Sequence, residues 1–197
     1  KGSSFFLFCH DDVYLEPDAV SVMVAEAFRS NAGIVGPKLV DWDEPDMLLD
    51  VGRAIDKFGF SAPVAEPGEL DQAQHDAVRD TFSVSGATVL VRADLFEAID
   101  GFPNDFPAYE EDTDLCWRAH LAGARVVVTP SAVVRHHETT LRSVPPEERF
   151  RAENTHRARM VLTNYSAAHL LRVLPQAVVF SIGDLIVNLL AFRLVKA

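Results

Sequence analysis

Three groups of side chains in this sequence are of types that handle protons, divalent cations and phosphates. His10, Asp11 and Asp12 follow directly on five apolar residues in "FFLFCHDDV". Glu110, Glu111, Asp112 and Asp114 crowd into "YEEDTDLCWR", and His136 and His137 close "AVVRHHE". Polar residues just after a buried strand sit at the crevice beyond the carboxyl ends of an open α/β sheet, where ligands bind. Strand alternation puts Asp12, rather than Asp11, on the same face as His10, and sends His136 and His137 to opposite faces. A plainer role exists for each group. Asp11 and Asp12 could cap a turn, and the acids of the second group could favour a helix N-terminus, with Asp112 or Thr113 as cap. Carboxylates this crowded repel one another unless a cation offsets them, and such neighbours are expected to raise the pKa of Asp112.

The elements that must carry these residues alternate between strand and helix. "FFLFC" reads as a buried strand, "PDAVSVMVAEAFRS" as a helix opened by Pro17, and "AGIVGPKLVD" as a strand broken at Pro37. This strand–helix–strand opening favours parallel pairing. Residues 47–65 give weaker strand signals, and "EPGELDQAQHDAVRD" reads as an acidic surface excursion. "TFSVSGATVLVRADLFEAI" reads as a strand containing Gly86 that runs into a short helix, "EEDTDLCWRAHLAGA" as a helix, and "RVVVTP" and "AVVRHHE" as two strands. A loop follows in "TTLRSVPPEER", and from Arg149 onward the pattern is helical.

The chain of 197 residues with 48% apolar content is long enough to bury a sizeable core. Its net charge of −11 excludes a general nucleic-acid binder, which needs clustered Lys and Arg. Two cysteines, Cys9 and Cys116, imply no disulfide framework and suit a reducing cytoplasmic setting. A strand at the first residues, with no signal-peptide pattern, is expected of a piece cut from a longer chain.

Taken together, "HDDV", "SVSGATVLVRADLFEAIDGF", "EEDTDLCWRAHLAGARVVVTP" and the histidine after "PSAVVR" resemble, in order and spacing, the family-2 glycosyltransferases. The likeness spans about residues 5 to 140 and is nearest to rhamnosyltransferase-like and large actinobacterial membrane-associated members. It implies a glycosyltransferase A-type α/β fold: a mixed, mainly parallel sheet flanked by helices, with a partial catalytic domain over 1–140 and a C-terminal helical extension over 141–197. The family's Asp-any-Asp motif, which holds a divalent metal and the donor diphosphate, falls on His10 and Asp12, so His10 stands where the first Asp is usual. His136 matches the family's histidine near the metal. Histidine ligates Mn²⁺ well and Mg²⁺, which prefers oxygen, poorly. Asp112 matches the general base, while Asp11, Ser85, Gly86, Glu111, Asp114 and Arg118 fall at substrate-binding positions. The implied reaction is metal-assisted inverting transfer from a nucleotide-diphospho-sugar donor to a hydroxyl of a cell-envelope glycan or glycolipid. A metal-dependent phosphoesterase and a non-catalytic transferase-derived scaffold are the alternatives. Only four residues precede "FFLFC", so the family's base-binding unit is expected to be missing, leaving the chain nearly inactive and prone to form homo-oligomers through an open strand edge.

The segment "VLPQAVVFSIGDLIVNLLAF" is about as long as a membrane span. Asp184 at its centre would cost roughly 2.5–3.5 kcal/mol in a spanning helix. Ser181, Asp184 and Asn188 form one polar stripe, and Arg172, Arg193 and Lys196 flank the segment. That pattern predicts a helix lying on the cytoplasmic membrane surface, or packed on the domain or a second copy, over one that crosses.

Overall fold

The computed structural model describes residues 2–103, 109–139 and 143–195, with the side chains of 184, 188 and 190–195 excepted. Its elements in chain order are β1 (Phe5–Cys9), β2 (Val13–Leu15), α1 (Ala19–Ser30), β3 (Ala32–Asp41), β4 (Leu48–Asp50), β5 (Arg53–Ile55), β6 (Ser61–Pro63), β7 (Arg79–Asp80), β8 (Thr88–Arg92), α2 (Ala93–Ala98), α3 (Glu111–Leu121), β9 (Arg125–His136), α4 (Pro146–Asn164) and α5 (Ala167–Val195). Among the described residues the main sheet runs β1-β8-β3-β9-β2, with β4 against the far half of β3 and β7 against the near half of β9.

All ten residues of β3 are buried. Val35 and Leu39 face α1 through Met23 and Ala27, whereas Ile34 packs with Leu95 of α2 and Leu115 and Cys116 of α3. β9 alternates likewise, Val127 and Val134 on one side and Val126 and Val128 on the other. Two helix-covered faces explain why both strands read as near-continuous apolar runs.

The mixed α/β sheet agrees with expectation, but it is not mainly parallel. β3 and β9 are the one directly parallel pair among the described residues; β8 enters antiparallel between β1 and β3, and the other ladders are antiparallel too. Nor does Pro37 break β3. It sits where the register with β9 jumps from Pro37–Thr129 to Lys38–Val133, so a residue with no N–H to donate falls at an irregularity of the ladder. "RVVVTP" and "AVVRHH" accordingly form one strand. Gly86 lies in the turn before β8, not within it, because its amide turns to a side chain of α3.

The acidic excursion is tied down. Lys38, 5% exposed, places Nζ 2.6 Å from carboxylate oxygens of both Asp71 and Asp76. Burial opposes the charge on Lys38, but these two partners outweigh it and raise its pKa.

α4 packs on the domain through Met160 and Val161, which meet Trp117 of α3, Ile55 and Phe82. Tyr165 at the α4–α5 corner stands edge-on to Trp117 at 4.7 Å. Beyond this corner α5 projects with little cover. Because Met160 is fully buried, Met160→Ala should cost about 2–5 kcal/mol in a urea melt of the whole chain. A loss below about 0.5 kcal/mol would show that α4 is no part of the domain's cooperative unit.

Candidate active site

β1 delivers His10 to the end of the sheet, where its amide donates to the Ala87 carbonyl at 2.9 Å. The chain then turns into β2, whose Val13 pairs with His136, the last residue of β9. That pairing brings His136 beside Asp12. His136 Nε2 lies 3.2 Å from Asp12 Oδ1, and His10 Nδ1 lies 3.9 Å from the same oxygen. One ligand atom from each of the three falls within 4.8 Å of the others. The other Asp12 oxygen accepts the Thr139 amide at 2.8 Å. Burial alone would raise the Asp12 pKa; the Thr139 hydrogen bonds, His136 and His10 outweigh it and hold the carboxyl below its usual range. His137 points elsewhere and packs against Trp42, ring centroids 5.9 Å apart.

Asp112 reaches the same cavity from the first turn of α3. It is not the cap residue: that position is Glu110, which has a left-handed backbone (φ 67°), as has Tyr109 (φ 65°). Asp112 Oδ2 accepts the Gly86 amide at 2.8 Å and Arg53 Nη1 at 3.3 Å, and Oδ1 accepts the Thr113 amide at 2.7 Å. A Cβ at position 86 would stand 3.3 Å from the Asp112 Cβ, so glycine permits this close approach.

Sequence reasoning missed the cation in this arrangement. Arg53 opens β5, and its Nε bonds Asp50 Oδ2 at 2.5 Å while Asp50 Oδ1 accepts the Gly52 amide at 2.8 Å. Burial opposes the Arg53 charge, but Asp50 and Asp112 raise its pKa. Arg53 is thus the cation that offsets the crowded carboxylates around Asp112. The available signal was the opposite-charge pair Asp50 and Arg53, three residues apart.

The cavity enclosed by these groups holds about 510 Å³. Of the sequence-predicted residues, His10, Asp11, Asp12, Ser85, Gly86, Glu111, Asp112 and His136 line it, joined by Asp50, Arg53, Tyr109, Glu110, Glu138 and Glu153. Asp114 and Arg118 do not. Asp114 is 3% exposed, takes Arg118 Nε at 2.8 Å and Asn164 Nδ2 at 2.9 Å, and Arg118 also donates to the Ile99 carbonyl. They join α3 to α4 and to the turn after α2, because a buried carboxylate needs a fixed cation and further donors.

Glu110 and Glu111 complete the cavity's acidic wall. Burial and then the Asp112 charge raise both pKa values, that of Glu110 to about 7. Oε2 of each is buried with no hydrogen-bond partner among the described residues. α4 closes this side through Glu153 and through His156, whose Nδ1 stands 3.0 Å from the Tyr109 carbonyl.

Comparison with known proteins agrees with this architecture. The O-antigen biosynthesis protein RfbC of Myxococcus xanthus is 27% identical over 151 residues, 72% of this chain and 11% of that protein. The pre-mycofactocin glycosyltransferase of Mycobacterium tuberculosis (strain ATCC 25618 / H37Rv) is 33% identical over 108 residues, 50% of this chain and 23% of that protein. This chain thus spans between about a tenth and a quarter of the length of these relatives. Among solved structures, GalNAc-T7 crystallised with UDP, GalNAc and Mn²⁺ superposes with a TM-score of 0.52 at 11% identity, covering 68% of this chain and 27% of that one, which bears on fold alone. The model of the family described as glycosyltransferase like family 2 matches residues 2–163. With that match over most of its length, the chain belongs to glycosyltransferase family 2 and has the glycosyltransferase A-type fold.

Proposed function

We propose that this domain catalyses inverting transfer of a sugar from a nucleotide-diphospho-sugar to a hydroxyl of a cell-envelope glycan or glycolipid, assisted by a divalent cation. The carrying observation is one cavity with His10, Asp12 and His136 grouped at the strand ends and Asp112 held by three donors on the helix side. The name of the Myxococcus xanthus relative, an O-antigen biosynthesis protein, supports the acceptor class.

Two imidazole nitrogens and one carboxylate oxygen within 4.8 Å suit a small divalent ion, and that donor set favours Mn²⁺ over Mg²⁺. His10, Asp12 and His136 would hold it, and when bound it would supply positive charge against the leaving diphosphate. Asp11, Ser85 and Gly86 lie along the same wall, where a donor would rest. Asp112 takes the proton as the acceptor O–H bond breaks. The freed oxygen bonds to the anomeric carbon from the face opposite the bond to the diphosphate, and the configuration inverts. Arg53, Gly86 and Thr113 hold the Asp112 carboxylate in place during this step. Glu110 lines the same cavity with its pKa raised to about 7, but Asp112 is the carboxylate that three donors fix in place.

Three measurements check this reading. Calorimetric titration of the chain with Mn²⁺ should show one site, weakened at least about tenfold by His136→Ala or Asp12→Asn, with Mg²⁺ binding less tightly. Equal Mn²⁺ affinity in the variants would exclude the trio as ligands. In the full-length protein with its own substrates, Asp112→Asn should lower kcat on the order of a hundredfold or more while leaving donor binding nearly unchanged, and Glu110→Gln should do much less. Equal losses would assign the acidic cluster to the helix rather than to the chemistry. The raised Glu110 pKa also has a stability signature. The folded state binds the Glu110 proton more tightly than the unfolded chain, so stability falls as pH rises from 4.5 to about 7 and then levels. Thermal melts of Glu110→Gln should match the parent at pH 4 and exceed it at pH 8.

A further inference from the structure

α5 is left uncovered in a way that selects its partner. Within Ala167–Val187 an 18-residue window reaches a mean hydropathy of 1.7, and only 6% of that window is buried in the domain. Val179 is 68% exposed, Phe180 60% and Val187 64%, and Ile182, Leu185, Ile186 and Leu189 are exposed as well. At about 100° per residue, the exposed apolar side chains between Val178 and Leu189 sweep an arc of about 220°. A helix lying flat in a membrane interface buries no more than about half its circumference, and a single partner helix covers one stripe. An arc this wide asks for an apolar medium.

The root of α5 has a different character. Phe58 and Phe60, from the β5–β6 hairpin, form with Val161, Val173, Leu174 and Phe180 an apolar groove of about 300 Å³. Cations stand at its rim although the whole chain carries −11. The Arg157 guanidinium lies 3.5 Å over the Phe60 ring. Lys57 Nζ lies 4.9 Å over Phe58 and donates to Gln176 Oε1 at 2.7 Å, and exposed Arg172 is one turn before Gln176. Aromatic rings and long cationic side chains at one level of a helix are what a headgroup layer accommodates. From Ala177 to Val195 α5 extends about 27 Å beyond this collar, close to the roughly 30 Å of a hydrocarbon core.

We propose that α5 inserts into a lipid bilayer rather than lying on it, with the collar of Phe58, Phe60, Lys57, Arg157 and Arg172 at the headgroup level. The polar stripe of Ser181, Asp184 and Asn188 remains in this segment, and the apolar residues around it from Val178 to Val195 offset the cost of Asp184 in the hydrocarbon. The cavity is then held at the membrane surface: α4 carries Arg157 at the collar and, one turn earlier, Glu153 in the cavity wall. Insertion holds whatever the cavity transfers.

The test is flotation of the intact chain, exchanged from mild detergent, with vesicles of phosphatidylcholine alone and of phosphatidylcholine with 30% phosphatidylglycerol. More than half should float with both lipids in 1 M NaCl and stay with the membrane at alkaline pH. The pair Val179→Glu and Ile186→Glu should cut the floated fraction at least fivefold without changing the circular dichroism melt of the domain. Lys57→Glu with Arg157→Glu should remove only the preference for the anionic vesicles. Binding abolished by 1 M NaCl would show a surface-lying helix and overturn insertion. So would a monodisperse chain left soluble beside both vesicles, or a lipid-free dimer dissociated by the Val179 and Ile186 changes.

Discussion

At the centre of this domain two buried strands run side by side in the same direction, and the chemistry hangs from their ends. β3 and β9 pair from Ala32 with Arg125 to Asp41 with His136, so the last pair of the ladder lies at the cavity's edge. A one-residue slip would turn every side chain of β9 to the other face. His136 would exchange places with His137, which packs on Trp42 outside the cavity. Alternating apolar residues locked against α1 on one side and α3 on the other forbid that slip. Core packing thereby fixes an imidazole to within hydrogen-bonding distance of Asp12.

The cavity's electrostatics follow from how few cations it contains. Carboxylates from β1–β2, β4, α3 and α4 converge on it, and among its described lining residues Arg53 is the one arginine or lysine. Arg53 is committed to two of these carboxylates, Asp50 and Asp112. Asp12 leans on two histidines and a backbone amide. Glu110 and Glu111 keep their protons more tightly because burial, and then the Asp112 charge, outweigh their hydrogen bonds and the Arg53 charge. The carboxyl group thus serves three ends in one cavity, as a candidate metal ligand, a candidate base and a wall whose pKa is raised, according to its burial and the donors beside it.

The helical C-terminal part is two structures. α4 shares a core cluster with Trp117 and supplies Glu153 to the cavity, whereas α5 leaves the corner at Tyr165 and meets the domain mainly along the hairpin groove. The family match ends at residue 163, next to this corner.

Much of this was legible in the residues alone. Alternation along "FFLFCHDD" put His10 and Asp12 on one face, and the apolar run with the helix pattern after it marked β1 and α1. The order of four motifs carried the family and its fold. Those signals are local, each read within one element or from the order of elements. What remained hidden depended on contacts between distant segments. No local pattern shows that β8 enters antiparallel beside β3, that the Gly86 amide leaves the ladder for Asp112, or that Arg53 crosses 59 residues of sequence to the same carboxylate. Asp114 and Arg118 carry the same types as site residues, yet burial beside Asn164 makes them struts. For α5 the residues pointed to a helix lying on a membrane surface, or packed on the domain or a second copy, because a polar stripe can be counted in sequence. How much of the opposite side the domain leaves bare is a property of packing, and only the tertiary structure decides it.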